Sequence, residues 1–295
     1  MKNIIKARGS VYFNEGSWAE LSSILENLNP TKVFILTDTN TKTHCLELFL
    51  KNVTLKKAPV VLSIPFGEAH KTITTCIGLW NELSEKGADR NSLLINLGGG
   101  VVTDLGGFVA STFKRGIKYI NVPTSLLAMV DASVGGKTGV DLGTIKNQIG
   151  VINFSEMVLV DSYFLNTLPE NEINSGMAEM LKHGLIQDEK YWEAMTKVQA
   201  SDYNNFDNLI YDSILIKNKV TTQDPNEDGL RKTLNYGHTL GHAIESYCLD
   251  NEAMQTLLHG EAIAAGMIME GYLSVKTCGL SERELNEIKN TFCAH

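Results

Sequence analysis

Three of the seven histidines, His238, His242 and His259, fall within one short window, where neutral imidazole nitrogens can bind a divalent transition metal. His238 and His242 are four apart, so on a helix both rings project from one face and a shared metal is permitted. Capped core histidines are the other reading of such a pair. Arg231, Asn235, His238, His242 and Glu245 together predict a polar stripe along one helical face. Leu234, Leu240, Ala243 and Ile244 are then expected to bury the opposite face, which places the stripe in a cleft. Upstream, Glu179 and Lys182 stand at i, i+3 on an apolar helix that carries Met177, Met180, Leu181 and Leu185. Taken alone this pair reads as a surface ion pair, and Glu179 becomes a metal ligand only by joining the histidines.

A second chemistry resides in Gly98-Gly99-Gly100, which follows a strand-like run and opens a helix, so that bare backbone amides can approach a pyrophosphate. A ligand-free glycine turn is the alternative. Asp38, at the end of an earlier strand, and Glu68 are candidate acceptors for ribose hydroxyls or, equally, turn residues. The cluster Asp131 to Gly139 has an aspartate where an ATP-binding P-loop requires glycine, which rejects that reading. It leaves Lys137 on a flexible, amide-rich loop, followed by Lys146-Asn147, as contacts for phosphate or carboxylate. Lys137, Lys146, Lys182, Lys217 and Arg231 form a local basic excess that an anionic substrate would explain.

The elements that must carry these residues follow from periodicity. Segments near Trp18–Leu28, Thr72–Lys86 and Val101–Thr112 read as helices. They alternate with strand-like runs Val33–Thr37, Val60–Ile64, Ser92–Leu97, Tyr119–Val122 and Met157–Val160, the pattern of a parallel α/β sheet. From Pro169 onward only helical periods appear, so the chain divides into an α/β domain over residues 1–167 and an all-helical domain over 168–295. The net charge of −8 and pI near 5.4 argue against nucleic-acid binding. Five scattered cysteines without a Cys-x-x-Cys pair suggest neither a disulfide framework nor a thiolate zinc site, and suit a reducing cytoplasm. No run approaches the ~18 apolar residues of a membrane span, and charges interrupt any apolar core in Met1–Ser10, so a protein neither secreted nor membrane-embedded is expected.

With these motifs in order, the chain resembles the 3-dehydroquinate synthases of the sugar-phosphate cyclase group. The resemblance is carried by Gly67-Glu68-x-x-Lys71, Gly98 to Asp104, Arg115-Gly116, Pro123-Thr124, Val130-Asp131 through Thr138, Lys146-Asn147, Glu179-x-x-Lys182 and Leu234-Asn235-x-Gly237-His238-x-x-Gly-His242. It implies a Rossmann-like N-terminal domain with bound NAD and a helical C-terminal domain with one divalent metal, zinc or cobalt. Glu179, His238 and His259 would be the metal ligands, and His242 would turn instead to the substrate phosphate. Three protein ligands leave a position open to substrate. Asp131, Lys182, Lys217 and Asn235 would hold ring hydroxyls, and Lys137, Asn147, Arg231 and His242 would contact anionic groups. Arg115 would reach the neighbouring subunit's site in a homodimer. The cofactor would lie against Asp38, Glu68, Lys71, Gly99, Gly100, Val101, Val102, Asp104, Thr124, Ser125, Lys137, Lys146, Phe164 and Thr167.

The implied reaction converts 3-deoxy-D-arabino-heptulosonate 7-phosphate to 3-dehydroquinate and phosphate in the shikimate pathway, with NAD regenerated in each turnover. Two departures stand out. Ser125 replaces the commoner threonine, which keeps a hydroxyl. The family continues past a C-terminal helix to an Asp-Lys-Lys segment, whereas this chain stops at Phe292-Cys293-Ala294-His295, so an incomplete chain of weakened activity is expected. The competing readings are a sister cyclase acting on a carboxylate-free sugar phosphate, against which Arg231 and Asn235 argue, a metal-dependent alcohol dehydrogenase, and a non-catalytic NAD-binding module.

Overall fold

The computed structural model describes residues 2–6, 9–143, 145–251 and 253–295, the side chain of Asp250 excepted. The chain folds into two compact units, Met1–Leu168 and Pro169–His295.

The first unit runs β1 (Ser10–Phe13), α1 (Glu15–Leu28), β2 (Val33–Asp38), α2 (Thr39–His44), α3 (Leu46–Asn52), β3 (Val60–Ile64), α4 (Ile73–Glu85), β4 (Leu93–Gly98), α5 (Gly100–Thr112), β5 (Lys118–Pro123), β6 (Lys137–Leu142), β7 (Ile145–Ile152) and β8 (Met157–Val160). Six strands form one parallel sheet in the order β1-β8-β5-β4-β2-β3. β4 lies inside the sheet and all six of its residues are buried, which is why Leu-Leu-Ile-Asn-Leu-Gly reads as an almost unbroken apolar run. The chain leaves β2 toward β3 and leaves β4 toward β5, so the direction of winding reverses between β2 and β4. In such sheets the crevice at the carboxyl ends of those strands is where a ligand sits.

Two glycines let α5 pack closely, one against this sheet and one against β6. A Cβ at Gly106 would stand 2.0 Å from the Asn96 side-chain oxygen, and one at Gly107 would stand 2.5 Å from the Thr138 methyl group. β6 and β7 form a separate antiparallel pair, with Gly139 opposite Gly150. A Cβ on Gly150 would meet the Thr138 carbonyl at 2.3 Å, so the strands approach closely at this point. Lys137, expected on a flexible loop, is thus the first residue of a strand. The expectation failed because glycines needed for close backbone approach look, in sequence, like the glycines of a loop.

The second unit comprises α6 (Glu170–Gln187), α7 (Glu189–Met195), α8 (Asp207–Gln223), α9 (His238–Asp250), α10 (His259–Thr277) and α11 (Glu282–Ala294). α6 is its central helix, with a nearly unbroken buried stretch from Ile173 to Gly184. The expected helical stripe from Arg231 to Glu245 is corrected here. Leu230–Asn235 forms a 3-10 turn, Tyr236 is extended, Gly237 has φ 81°, and α9 starts only at His238. Arg231 and Asn235 therefore do not share a face with the histidines. The apolar positions also behave otherwise: Leu234 is buried, but Leu240 and Ile244 are only partly covered and Ala243 is exposed. The buried face of α9 carries Gly241, Glu245 and Cys248. Close contact at a glycine and a paired carboxylate outweighed simple apolar periodicity.

Candidate metal centre and nucleotide turn

Glycines bring the metal-type residues together. Where α10 begins, a Cβ at Gly260 would stand 2.1 Å from the Ser175 carbonyl oxygen, and the Gly260 amide donates to the Ser175 hydroxyl at 3.0 Å. This contact sets His259 beside α6, one turn before Glu179. α9 meets α10 in the same manner: a Cβ at Gly266 would lie 2.0 Å from the Gly237 carbonyl oxygen, and one at Gly241 would lie 2.9 Å from the Ala262 carbonyl oxygen. The amide of Gly237, ahead of the first turn of α9, donates to the Glu270 carboxylate at 2.8 Å. No residue with a side chain fits at any of these crossings, so the backbone geometry that presents His238 and His259 requires glycine.

Glu179 is completely buried. Its Oε2 is ion-paired with Lys182, itself 1% exposed, so the expected surface pair is an interior one. Its Oε1 faces Nε2 of His238 at 3.7 Å and Nε2 of His259 at 3.6 Å and makes no hydrogen bond. Those separations exceed hydrogen-bond reach. They match instead the spacing of about 3.4 Å between neighbouring ligand atoms that share a tetrahedral cation with bonds near 2.1 Å. The ring nitrogens of His238, His242 and His259 lie within 4.8 Å of one another. His238 Nδ1 faces the Tyr236 carbonyl at 3.4 Å, and His259 Nδ1 faces Glu245 Oε2 at 3.3 Å, which leaves both Nε2 atoms directed at Glu179.

The electrostatics agree. Burial works against a charged His259, but Glu179 and Glu245 on either side outweigh it and raise the imidazole to about 9. Burial would raise the Glu179 carboxyl, yet Lys182 and the two histidines hold it well below the usual range. A buried anion with an unbonded oxygen, facing two imidazole nitrogens at ligand spacing, fits a divalent metal.

The other anticipated residues of this unit occupy neighbouring elements. Lys217 is buried on α8. Arg231 is 4% exposed on the 3-10 turn, its guanidinium donating to the Pro225 carbonyl at 2.9 Å. Asn235 is exposed and donates to Glu227 at 2.7 Å.

In the first unit, Gly98 ends β4, Gly99 precedes α5, and Gly100 is its first residue. None of the three has positive φ; Gly98 serves close approach, since a Cβ there would stand 2.6 Å from Val102, and one on Gly99 would stand 3.2 Å from the Ser125 hydroxyl. No side chain caps α5, so the amides of its first turn remain available to an anion at the crevice end of the sheet. That donor set fits a dinucleotide pyrophosphate. Val101 is half-buried, Val102 is fully buried, and Thr124 and Ser125 follow β5 alongside Gly98 and Gly99. Asp38 caps α2 by accepting the Thr41 amide at 2.7 Å. Phe164 is buried against Trp18 with ring centroids 6.3 Å apart, and the Thr167 hydroxyl donates to the Phe164 carbonyl.

Lys71 is 4% exposed and donates to Asp104 at 2.8 Å and to the Asn147 side-chain carbonyl at 2.7 Å. Glu68 lies 3.0 Å from Lys146. Asn147 has φ 54°, and its amide donates to Asp141 at 2.7 Å. One buried network thereby ties α5 to the β6–β7 hairpin, which carries Lys137, Lys146 and Asn147. Asp131 sits half-buried in a π-helical turn, Ala128–Ala132. Lys114, Arg115 and Gly116 have φ of 50°, 69° and 109°, a run of left-handed residues that holds Arg115 out exposed.

Two roles escaped the sequence reading. Glu245 was visible as a polar residue on α9, but its partner is fourteen positions away on another helix, and Glu270 gave no local signal at all.

The models of the 3-dehydroquinate synthase N-terminal and C-terminal families match residues 61–175 and 176–294. A 3-dehydroquinate synthase from Parabacteroides distasonis is 44% identical over 92% of this chain and 76% of its own length. This chain belongs to the 3-dehydroquinate synthase family. A second 3-dehydroquinate synthase, from Streptococcus pyogenes, is 36% identical over 96% of this chain and 78% of its own. Among solved structures, a 2-deoxy-scyllo-inosose synthase complexed with carbaglucose-6-phosphate, NAD+ and Co2+ covers 99% of this chain and 81% of its own, with TM-score 0.82 and 26% identity. A 2-epi-5-epi-valiolone synthase from Streptomyces hygroscopicus shares the fold over 99% of this chain and 82% of its own, at TM-score 0.79 and 23% identity. Both the Rossmann-like sheet and the helical half are thus those of the sugar-phosphate cyclases. Among the described residues no helix is long and apolar enough to cross a membrane.

Proposed function

We propose that this chain is a 3-dehydroquinate synthase, a phosphate-eliminating carbon–oxygen lyase that converts 3-deoxy-D-arabino-heptulosonate 7-phosphate to 3-dehydroquinate and phosphate. The observation that carries the reading is the Glu179 oxygen set 3.7 and 3.6 Å from the Nε2 atoms of His238 and His259, in a chain 44% identical to a synthase of that name. When bound, NAD would supply a reversible hydride acceptor and a divalent cation a Lewis acid for a substrate hydroxyl.

The chain's own residues then have distinct tasks. Glu179, His238 and His259 hold the cation, while Lys182, ion-paired with Glu179, and Lys217, Asn235 and Asp131 hold ring hydroxyls. His242, Lys137, Asn147 and Arg231 bind the phosphate and carboxylate. The capless start of α5 binds the cofactor's pyrophosphate, with Asp38, Glu68, Thr124, Ser125 and Lys146 around it. Fixing one substrate conformer lowers the entropic cost of each step, including the closing intramolecular aldol. Arg115 serves the neighbouring subunit of a homodimer, and the free cysteines suit the cytoplasm.

Purified protein given the heptulosonate phosphate, NAD and Zn2+ or Co2+ should release phosphate with no lasting rise in NADH absorbance. A stoichiometric, lasting NADH signal would instead indicate a dehydrogenase. The sister-cyclase reading draws on the 26%-identical scyllo-inosose synthase. Turnover of a carboxylate-free sugar phosphate with none of the heptulosonate would establish it and sink the synthase assignment.

A further inference from the structure

We infer that Glu245 is a positioning residue of the metal site: its carboxylate accepts a hydrogen bond from the Nδ1–H of His259, holds the proton on Nδ1 and so presents Nε2 as the ligand atom. The inference rests on the metal reading above.

Glu245 is on α9, its side chain only 7% exposed, and its Oε2 lies 3.3 Å from His259 Nδ1 at the start of α10. Free imidazole offers either nitrogen, and the one that carries the proton cannot bind a metal. A carboxylate at Nδ1 fixes the proton there, fixes the ring plane and makes Nε2 the stronger donor. The two histidines that face Glu179 are held differently. His238 Nδ1 meets a neutral backbone carbonyl, that of Tyr236 at 3.4 Å, whereas His259 meets a full negative charge.

The separation is also fixed rather than adjustable. α9 and α10 touch at backbone contacts through Gly237, Gly241 and Gly266, so Glu245 cannot drift from His259 without parting the helices. Glu245 is thus held one ring's width behind the ligand atom, on the side of His259 away from Glu179.

The test uses the full chain stripped of metal. Co2+ affinity is measured by chelator competition, and the visible cobalt spectrum reports the ligand geometry. Glu245→Ala should weaken Co2+ binding about 10–100-fold and change the spectrum, with far-UV circular dichroism unchanged. Glu245→Gln, which keeps an acceptor oxygen but not the charge, should retain the wild-type spectrum with a smaller loss. Affinity of Glu245→Ala within twofold of wild type overturns the inference. If the alanine protein does not fold, Glu245→Gln decides, and affinity indistinguishable from wild type overturns it. Failure of the wild-type protein itself to take up cobalt defeats the metal reading and this inference with it, an outcome separate from variants that bind as wild type does.

Discussion

Gly260 lies directly against Ser175, with the position of a would-be Cβ 2.1 Å from the Ser175 carbonyl oxygen and the Gly260 amide bonded to the Ser175 hydroxyl at 3.0 Å. The residue before it is His259 and the residue four beyond Ser175 is Glu179, so one glycine sets the gap between two proposed ligands. The obstruction is backbone, which cannot swing aside as a side chain can. Gly260→Ala should therefore cost at least about 1–3 kcal/mol in urea unfolding and lower metal occupancy. Gly78 on α4 is the control. It is helical with nothing within 4 Å of its would-be Cβ, so Gly78→Ala should stabilise by about 0.5–1 kcal/mol. Equal effects of the two substitutions would refute this reading of the α6–α10 contact.

The ligand assignment separates two kinds of loss. His259→Ala removes one of the imidazoles facing Glu179 and should lose bound metal and phosphate release together. Lys137→Ala changes an exposed strand residue far along the chain from the histidines. It should keep metal stoichiometry and raise KM for an anionic substrate. Elemental analysis beside steady-state kinetics decides the matter; full metal occupancy in His259→Ala would count against the assignment.

Lys71 and Asp104 are a mostly buried pair at 2.8 Å, with side chains 5% and 19% exposed. Burial pushes the Asp104 carboxyl up and Lys71 offsets only part of that rise, so it stays above the usual carboxylate range; burial works against the Lys71 charge, but Asp104 and Glu68 more than restore it. Lys71→Met strands the carboxylate and frees the Asn147 side chain, at a cost on the order of 3 kcal/mol. Adding Asp104→Asn should recover part of that loss, because the uncompensated charge is gone. A single-variant cost below about 1 kcal/mol in denaturant titration would mean that the network contributes little.

The thiols should fall into two classes. Burial raises Cys45 to about 11 and Cys76 to about 12, and Cys248 is also buried, whereas Cys278 and Cys293 are exposed. A raised thiol pKa means less thiolate at any pH below it, and thiolate is the reacting form. A colorimetric thiol reagent at neutral pH should count two fast cysteines in the native protein and all five after unfolding. Rapid reaction of a third would contradict the packing around Cys45, Cys76 or Cys248.

What the sequence by itself determined was local and periodic. Short apolar runs set between helical periods mark β2, β3, β4, β5 and β8, and the helical half begins at α6 behind Pro169, because strands buried on both faces read as apolar runs and helices repeat their apolar face every three to four residues. It also carried the family resemblance through short motifs whose residues stay adjacent. Tertiary structure alone decided which polar groups face each other. The apparent helix from Arg231 to Glu245 breaks at Gly237, whose left-handed backbone and close contact with α10 outweigh a continuous stripe. The Glu179–Lys182 pair, ordinary on a surface, is interior because α6 is enclosed along its middle. The Glu245 carboxylate meets His259 only where α9 and α10 cross, and such a meeting between distant positions leaves no periodic trace in the chain.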